Sequence, residues 1–192
     1  MKRIEEMLEV YYNSGQFEIT MKVLGTHFDS AFDMFQKLGD FYEKRGYFGM
    51  SHSRIKRCEI LMEFLEQEWP MDEVHGDWYD CIRQALVFDL YYRENCKSRP
   101  AWALPYEQLK PFVRHYCKNG KMSHVEMFSY DFLGEDYTCL EEPVFVLFSY
   151  DKRDPLTHQA AVQYVDPGKD MIIGGSDEEV RLEWQPKEQK KS

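Results

Sequence analysis

No stretch of the 192 residues stays apolar for the roughly 20 positions a bilayer-spanning helix needs, and the start carries no signal-peptide apolar region. A cytoplasmic protein without membrane contact is expected. Basic residues are outnumbered, 24 against 34 acidic, for a formal charge of −10. No Lys/Arg cluster concentrates them, and phosphate neutralisation supplies most non-specific nucleic-acid affinity, so nucleic acid is not an expected partner. The five cysteines, at 58, 81, 96, 117 and 139, include no CxxC pair. Zinc and iron–sulfur sites draw on such tight local pairs, so no metal site is expected and the thiols read as reduced and cytosolic. The phosphate-cradling loops GxGxxG and GxxxxGK with Ser or Thr, the nucleophile elbow GxSxG and the zinc helix HExxH are all missing. Six scattered histidines form no helical i, i+4 pair, and Gly174-Gly175 reads as a turn. No catalytic residue is assigned. A nucleophile whose partners lie far apart in sequence stays open.

What is present is enough to build a core. Leu, Ile, Val and Phe total 45 residues and the aromatic fraction is 16%, above the range where composition prevents folding. Residues 1–120 read as helices. Ile4, Met7, Leu8 and Tyr11 make an i, i+3, i+4, i+7 stripe ending at Ser14-Gly15. Met1-Lys2-Arg3 offers no cap, so this helix is expected to start part-way into an element of a longer parent. A shorter segment spans 17–24. Asp29-Ser30 caps a helix over 31–45 with Ala31, Met34, Phe35, Leu38 and Tyr42 inward and Gly46 as its stop. Ser51 or Ser53 opens the next helix, in which Ile55, Cys58, Met62, Leu65 and Trp69 repeat by threes and fours while Leu61 and Phe64 face elsewhere; two apolar stripes make it the expected central helix. Asp77 opens the longest pattern, to about residue 94, with Trp78, Ile82, Ala85, Leu86 and Leu90 inward. Pro105 suits a first helical turn, and Leu109, Phe112, Val113 and Tyr116 mark a last helix closing at Asn119-Gly120.

After Gly120 the period changes from 3.6 to 2. Along 124–132, Glu126, Phe128, Tyr130 and Phe132 share one side and Val125, Met127 and Ser129 the other. Residues 144–150 are apolar on both faces, as a middle strand would be, and 158–165 supply a third strand. Met171 to Ile173 add an edge strand, and the polar tail 186–192 is expected to be disordered. The expected class is therefore α+β: an N-terminal bundle of five or six helices over 1–120, then a small, mostly antiparallel sheet of three or four strands over 121–185, packed into one unit. Charge divides unevenly, net −3 over 1–120 and −7 over 121–192.

Two charged groups stand out as sites of substrate or domain contact. Asp89 and Arg93 lie four apart on the inward face of the longest helix, with Lys97 and Arg99 soon after. A desolvated carboxylate and guanidinium need each other, so the pair ties the helix end down, contacts an anionic substrate, or lies on a solvated face. His52, Arg54 and Arg57 open the helix after Ser51, where cations oppose the macrodipole and call for an acidic partner, within the chain or on another. Tyr11-Tyr12 and Tyr91-Tyr92 each place one ring inward and one near the surface.

Three stretches carry a resemblance: Glu6-Met7-Leu8-Glu9-Val10-Tyr11-Tyr12-Asn13-Ser14-Gly15-Gln16-Phe17; Ser51-His52-Ser53-Arg54 leading into Cys58-Glu59-Ile60-Leu61; and Phe88-Asp89-Leu90-Tyr91-Tyr92-Arg93-Glu94-Asn95-Cys96-Lys97-Ser98-Arg99-Pro100-Ala101-Trp102. Over roughly residues 1–102 the chain resembles the uncharacterised C-terminal domain that follows a cobalamin-binding domain and a radical S-adenosylmethionine domain in a group of bacterial proteins. The resemblance implies a parent that holds a 4Fe-4S cluster, S-adenosylmethionine and cobalamin. This chain lacks the CxxxCxxC cluster motif and the Asp-x-His-x-x-Gly cobalamin motif, so it is expected to bind none of them. The resulting expectation is a non-catalytic accessory domain whose partners are the upstream radical domain and an unknown substrate. A free-standing acidic module for a basic protein partner stays open. So does a small enzyme of unrecognised type, which would need a concave pocket gathering a His or Cys with a carboxylate.

Overall fold

A computed structural model describes residues 2–69, 76–118 and 122–167. Helix α1 (Lys2–Met7) runs into a π-helical turn, Leu8–Asn13, before α2 (Glu18–Gly25), α3 (Ala31–Arg45), α4 (Arg54–Glu68), α5 (Gly76–Arg93) and α6 (Tyr106–Tyr116). Strands β1 (Ser123–Tyr130), β2 (Cys139–Ser149) and β3 (Ala161–Val165) follow. They form one antiparallel sheet in the order β1-β2-β3. The α+β architecture read from the sequence is the one observed. The expected edge strand at Met171 to Ile173, the tail and the closure at Asn119-Gly120 lie outside the described residues.

Local chemistry sets the helix ends. Ser30 and Ser53 cap α3 and α4 by accepting from the Asp33 and Lys56 amides, at 3.1 and 3.2 Å, each cap contributing about 1 kcal/mol. Gly46 ends α3 with φ of 69° in the left-handed region. The π-turn departs from the regular helix expected there. The Ser14 amide reaches back five residues to the Glu9 carbonyl, and the Ser14 hydroxyl takes the Val10 carbonyl at 2.7 Å. Apolar spacing does not signal that. Tyr11 still points inward, fully buried, while Tyr12 is exposed. The Tyr11 hydroxyl shares a 2.6 Å hydrogen bond with that of Tyr42 and donates to the Arg57 carbonyl.

The central helix is α5 rather than α4. Residues 85–91 of α5 are buried without a break, whereas on α4 Met62 is only partly covered. The reason is that α5 has helices on one side and the sheet on the other. His124, Glu126, Phe128 and Tyr130 of β1 turn toward α5, where Phe88 meets Phe128 and Phe148 at ring-centre distances of 5.6 and 5.3 Å. The opposite face, with Val125 and Phe145, is closed by Phe112 of α6. Fully burying such side chains contributes roughly 1.5–3 kcal/mol each. No helix among the described residues is long and apolar enough to cross a membrane.

Candidate functional site

At the end of α5 the helical ladder closes with the Glu94 amide on the Leu90 carbonyl at 3.3 Å and leaves the carbonyls beyond it without helical donors, and the rest of the molecule supplies a partner to each of the last four. The Leu90 carbonyl accepts from Arg54 at 3.2 Å, that of Tyr91 from the Tyr150 hydroxyl at 2.9 Å, and that of Tyr92 from the Ala160 amide at 2.7 Å. The Arg93 carbonyl accepts from Arg153. Three of these four donors lie in or beside the sheet, so the end of α5 is the joint between helices and strands. Arg54 also pairs with Glu94 at 3.5 Å. Its charge therefore sits at the negative end of the α5 dipole, and this offsets its poor position at the start of α4.

Asp89 and Arg93 do not form the pair their spacing predicts. Asp89, 2% exposed, turns to α2, whose own cap position is Phe17 and carries no side-chain acceptor. Its carboxyl oxygens accept from the amides of Ile19 at 3.1 Å and Thr20 at 2.8 Å and from the Thr20 hydroxyl at 2.7 Å. One helix thus caps another from about 70 residues away in sequence, using an acid at a helix N-terminus where the dipole favours it. Burial pushes the Asp89 carboxyl up to about 7, and the hydrogen bonds from Thr20 and Ile19 pull it back. Arg93 is partly exposed and donates to the Thr157 carbonyl at 2.6 Å. His52 donates to the Tyr47 carbonyl at 3.0 Å, and the backbone of Arg57 receives the Tyr11 hydroxyl. The six charged residues singled out from the sequence are thus dispersed. Arg54, Arg93 and Arg99 surround the end of α5, Asp89 sits a turn deeper, and His52 and Arg57 belong to the α3–α4 side.

Arg99 leads to the concave part of the molecule. Its guanidinium grips both oxygens of Glu126 in a bidentate pair, 3.0 Å for the Nη2 contact, and its Nε donates to the Leu104 carbonyl at 2.7 Å. Burial lowers the Arg99 pKa, and the bonds to Glu126 more than restore it. Glu126, 1% exposed, also meets His124 Nε2 at 2.7 Å. A carboxylate only accepts, so this nitrogen carries the hydrogen. The imidazole lies flat on the Tyr91 ring, centres 3.7 Å apart at 13°. Burial and the Glu126 charge push the Tyr91 phenol up to about 12.

Over this network opens a cavity of about 330 Å³, at the lower end of the range for small-molecule sites. The end of α5 and the following loop contribute Tyr91, Cys96, Lys97 and Arg99; α6 adds Tyr106 and β1 adds His124. The Cys96 thiol points at the Leu90 carbonyl, 3.9 Å away, and burial pushes its pKa up to about 11. It is a protonated wall rather than a nucleophile. Among the described residues no group of three His, Cys, Asp or Glu side chains is placed to hold a metal ion. Sequence reasoning identified Arg99 and missed its partners Glu126 and His124. The available signal was an acid alternating with aromatic residues on the inward side of a strand, where a buried charge requires a partner.

Comparison with known proteins places the chain in a family. The profile of a family described as protein of unknown function (DUF4080) covers residues 1–124. The matched span includes the whole helical region and His124 but stops short of Glu126. No curated protein and no solved structure matches the chain.

Proposed function

The chain belongs to the DUF4080 family, and on that premise we propose that it is a non-catalytic accessory domain that recognises substrate and docks beside a radical S-adenosylmethionine domain upstream in the same bacterial parent. The 4Fe-4S cluster, S-adenosylmethionine and cobalamin belong to that parent in this reading. The observation that carries it is the cavity over Arg99, Glu126 and His124. Its walls hold and orient, since Arg99 is already neutralised by Glu126 and Cys96 is held as a thiol. The α5 joint is fixed at all four terminal carbonyls, which gives the cavity a rigid frame. The experiment is to titrate the 192-residue chain into the cluster-loaded radical domain of its parent and follow association by sedimentation. A saturable complex is expected, with the affinity of a transient interface; no association at any accessible concentration contradicts the reading.

One observation favours a second reading as a small enzyme. A carboxylate fixing an imidazole at a cavity is the arrangement of an oriented general base, and Glu126 and His124 form it at 2.7 Å. Against that, the thiol sharing the cavity is deactivated rather than activated. The acidic-module reading gains less, since α5 and α6 cover both faces of the sheet.

A further inference from the structure

We infer that the cavity at the junction of α5, α6 and β1 is a binding site for a small oxyanion, the carboxylate or phosphoryl group of a metabolite-sized ligand. The inference rests on reading this cavity as the recognition site, and it names the chemistry recognised there.

The charge of the walls is the first argument. The chain carries 34 acidic residues and a net charge of −10, yet the cavity is lined by Lys97 and Arg99 and by no carboxylate. Two acids lie close without lining it: Glu126 sits behind Arg99 and His124 with 1% exposure and is bonded to both, and Glu94, whose charge reaches Cys96, pairs with Arg54. With Arg99 already paired to Glu126, the uncompensated charge at the cavity is the Lys97 ammonium, and a cation at a concave surface concentrates anions locally.

The second argument is the set of polar groups left over. Among the described residues Lys97 forms no ion pair or hydrogen bond, and neither does the hydroxyl of Tyr106, which is 44% exposed. His124 uses Nε2 on Glu126, and among the described residues no group bonds its Nδ1, while the ring lines the cavity. A cavity-lining nitrogen that no protein group engages is open to a ligand or a water. An ammonium, a phenol and an imidazole nitrogen on three separate elements therefore share one small space. An oxyanion satisfies all three: its oxygens accept from Lys97 and Tyr106. His124 Nδ1 accepts from a protonated ligand oxygen or, as an imidazolium backed by Glu126, donates to a charged one. The Tyr91–His124 stack and the Arg99–Glu126 pair keep that nitrogen in place before the ligand arrives.

The test is a ¹H–¹⁵N titration of the full chain with inorganic phosphate, with acetate, and with chloride at matched ionic strength. Saturable shifts at the amides of Lys97, Tyr106 and His124 are expected with phosphate, acetate or both, and none with chloride. Saturation by phosphate alone identifies a phosphoryl ligand, and by acetate alone a carboxylate. Lys97→Ala is expected to weaken binding about 10-fold or more, the loss of one charge-assisted hydrogen bond, and Lys97→Arg to restore most of it. Neither change is expected to disturb the fold, because Lys97 is exposed and bonds to none of the described residues. Shifts that never saturate, or an affinity unchanged in Lys97→Ala, overturn the inference. The association experiment with the radical domain can fail without affecting this result, so the two readings separate.

Discussion

Asp89 and Glu126 are two nearly fully buried carboxylates, at 2% and 1% exposure, and the fold keeps them by opposite means. Asp89 pairs with no cation among the described residues; it is satisfied by two amides and a hydroxyl at the start of α2, inside the helical core. Glu126 is held by Arg99 and His124, next to an opening. The difference teaches that burial of a charge does not by itself mark a site. Asp89 completes backbone hydrogen bonding and leaves nothing unpaired. Glu126 holds two side chains whose other edges face a cavity.

Removing one partner of the Glu126 network should cause the largest loss. Arg99→Ala leaves Glu126 buried with only His124, and is expected to cost about 3–5 kcal/mol in urea unfolding. Asp89→Ala strands the Ile19 and Thr20 amides and the Thr20 hydroxyl, and is expected to cost roughly 2–4 kcal/mol. Thr20→Val removes one of the three Asp89 contacts and should cost about 1 kcal/mol, leaving the two amide bonds in place. The pH dependence has the same carboxyl as its source. The Asp89 carboxyl sits at about 7 in the folded chain against about 4 when unfolded, so the folded state holds a proton that the unfolded state releases between those values. Its contribution is complete below about pH 4 and is lost as pH rises to about 7; the difference between wild-type and Asp89→Asn stability curves should show that slope. Smallest of all is the coupling between Asp89 and Arg93. Because they do not touch, a double-mutant cycle should be additive within about 0.5 kcal/mol, and a larger coupling would restore the ion pair.

Most of the architecture was legible because it depends on short-range rules. Ser30, Ser53 and Gly46 mark helix ends in the sequence, the change of period near residue 120 marks the strands, and the two-sided apolar run over 144–150 marks the middle strand. Two features were not legible for the same physical reason. The bond from Asp89 to the start of α2 and the pairing of Arg99 with Glu126 join residues 70 and 27 positions apart, and helical spacing sees only three or four. Spacing placed Asp89 correctly on the inward face and then supplied the nearest cation, Arg93, as its partner. Tertiary packing offered it a helix terminus instead.

The most direct measurement is the phosphate affinity of Asp89→Asn and Glu126→Gln beside the wild-type chain, read from the same amide shifts. If Asp89 serves the fold and Glu126 frames the site, Asp89→Asn loses stability and keeps the wild-type affinity. Glu126→Gln binds at least several-fold more weakly, because His124 and Arg99 lose the charge that positions them. An affinity that falls equally in both variants, or falls only in Asp89→Asn, would contradict the account.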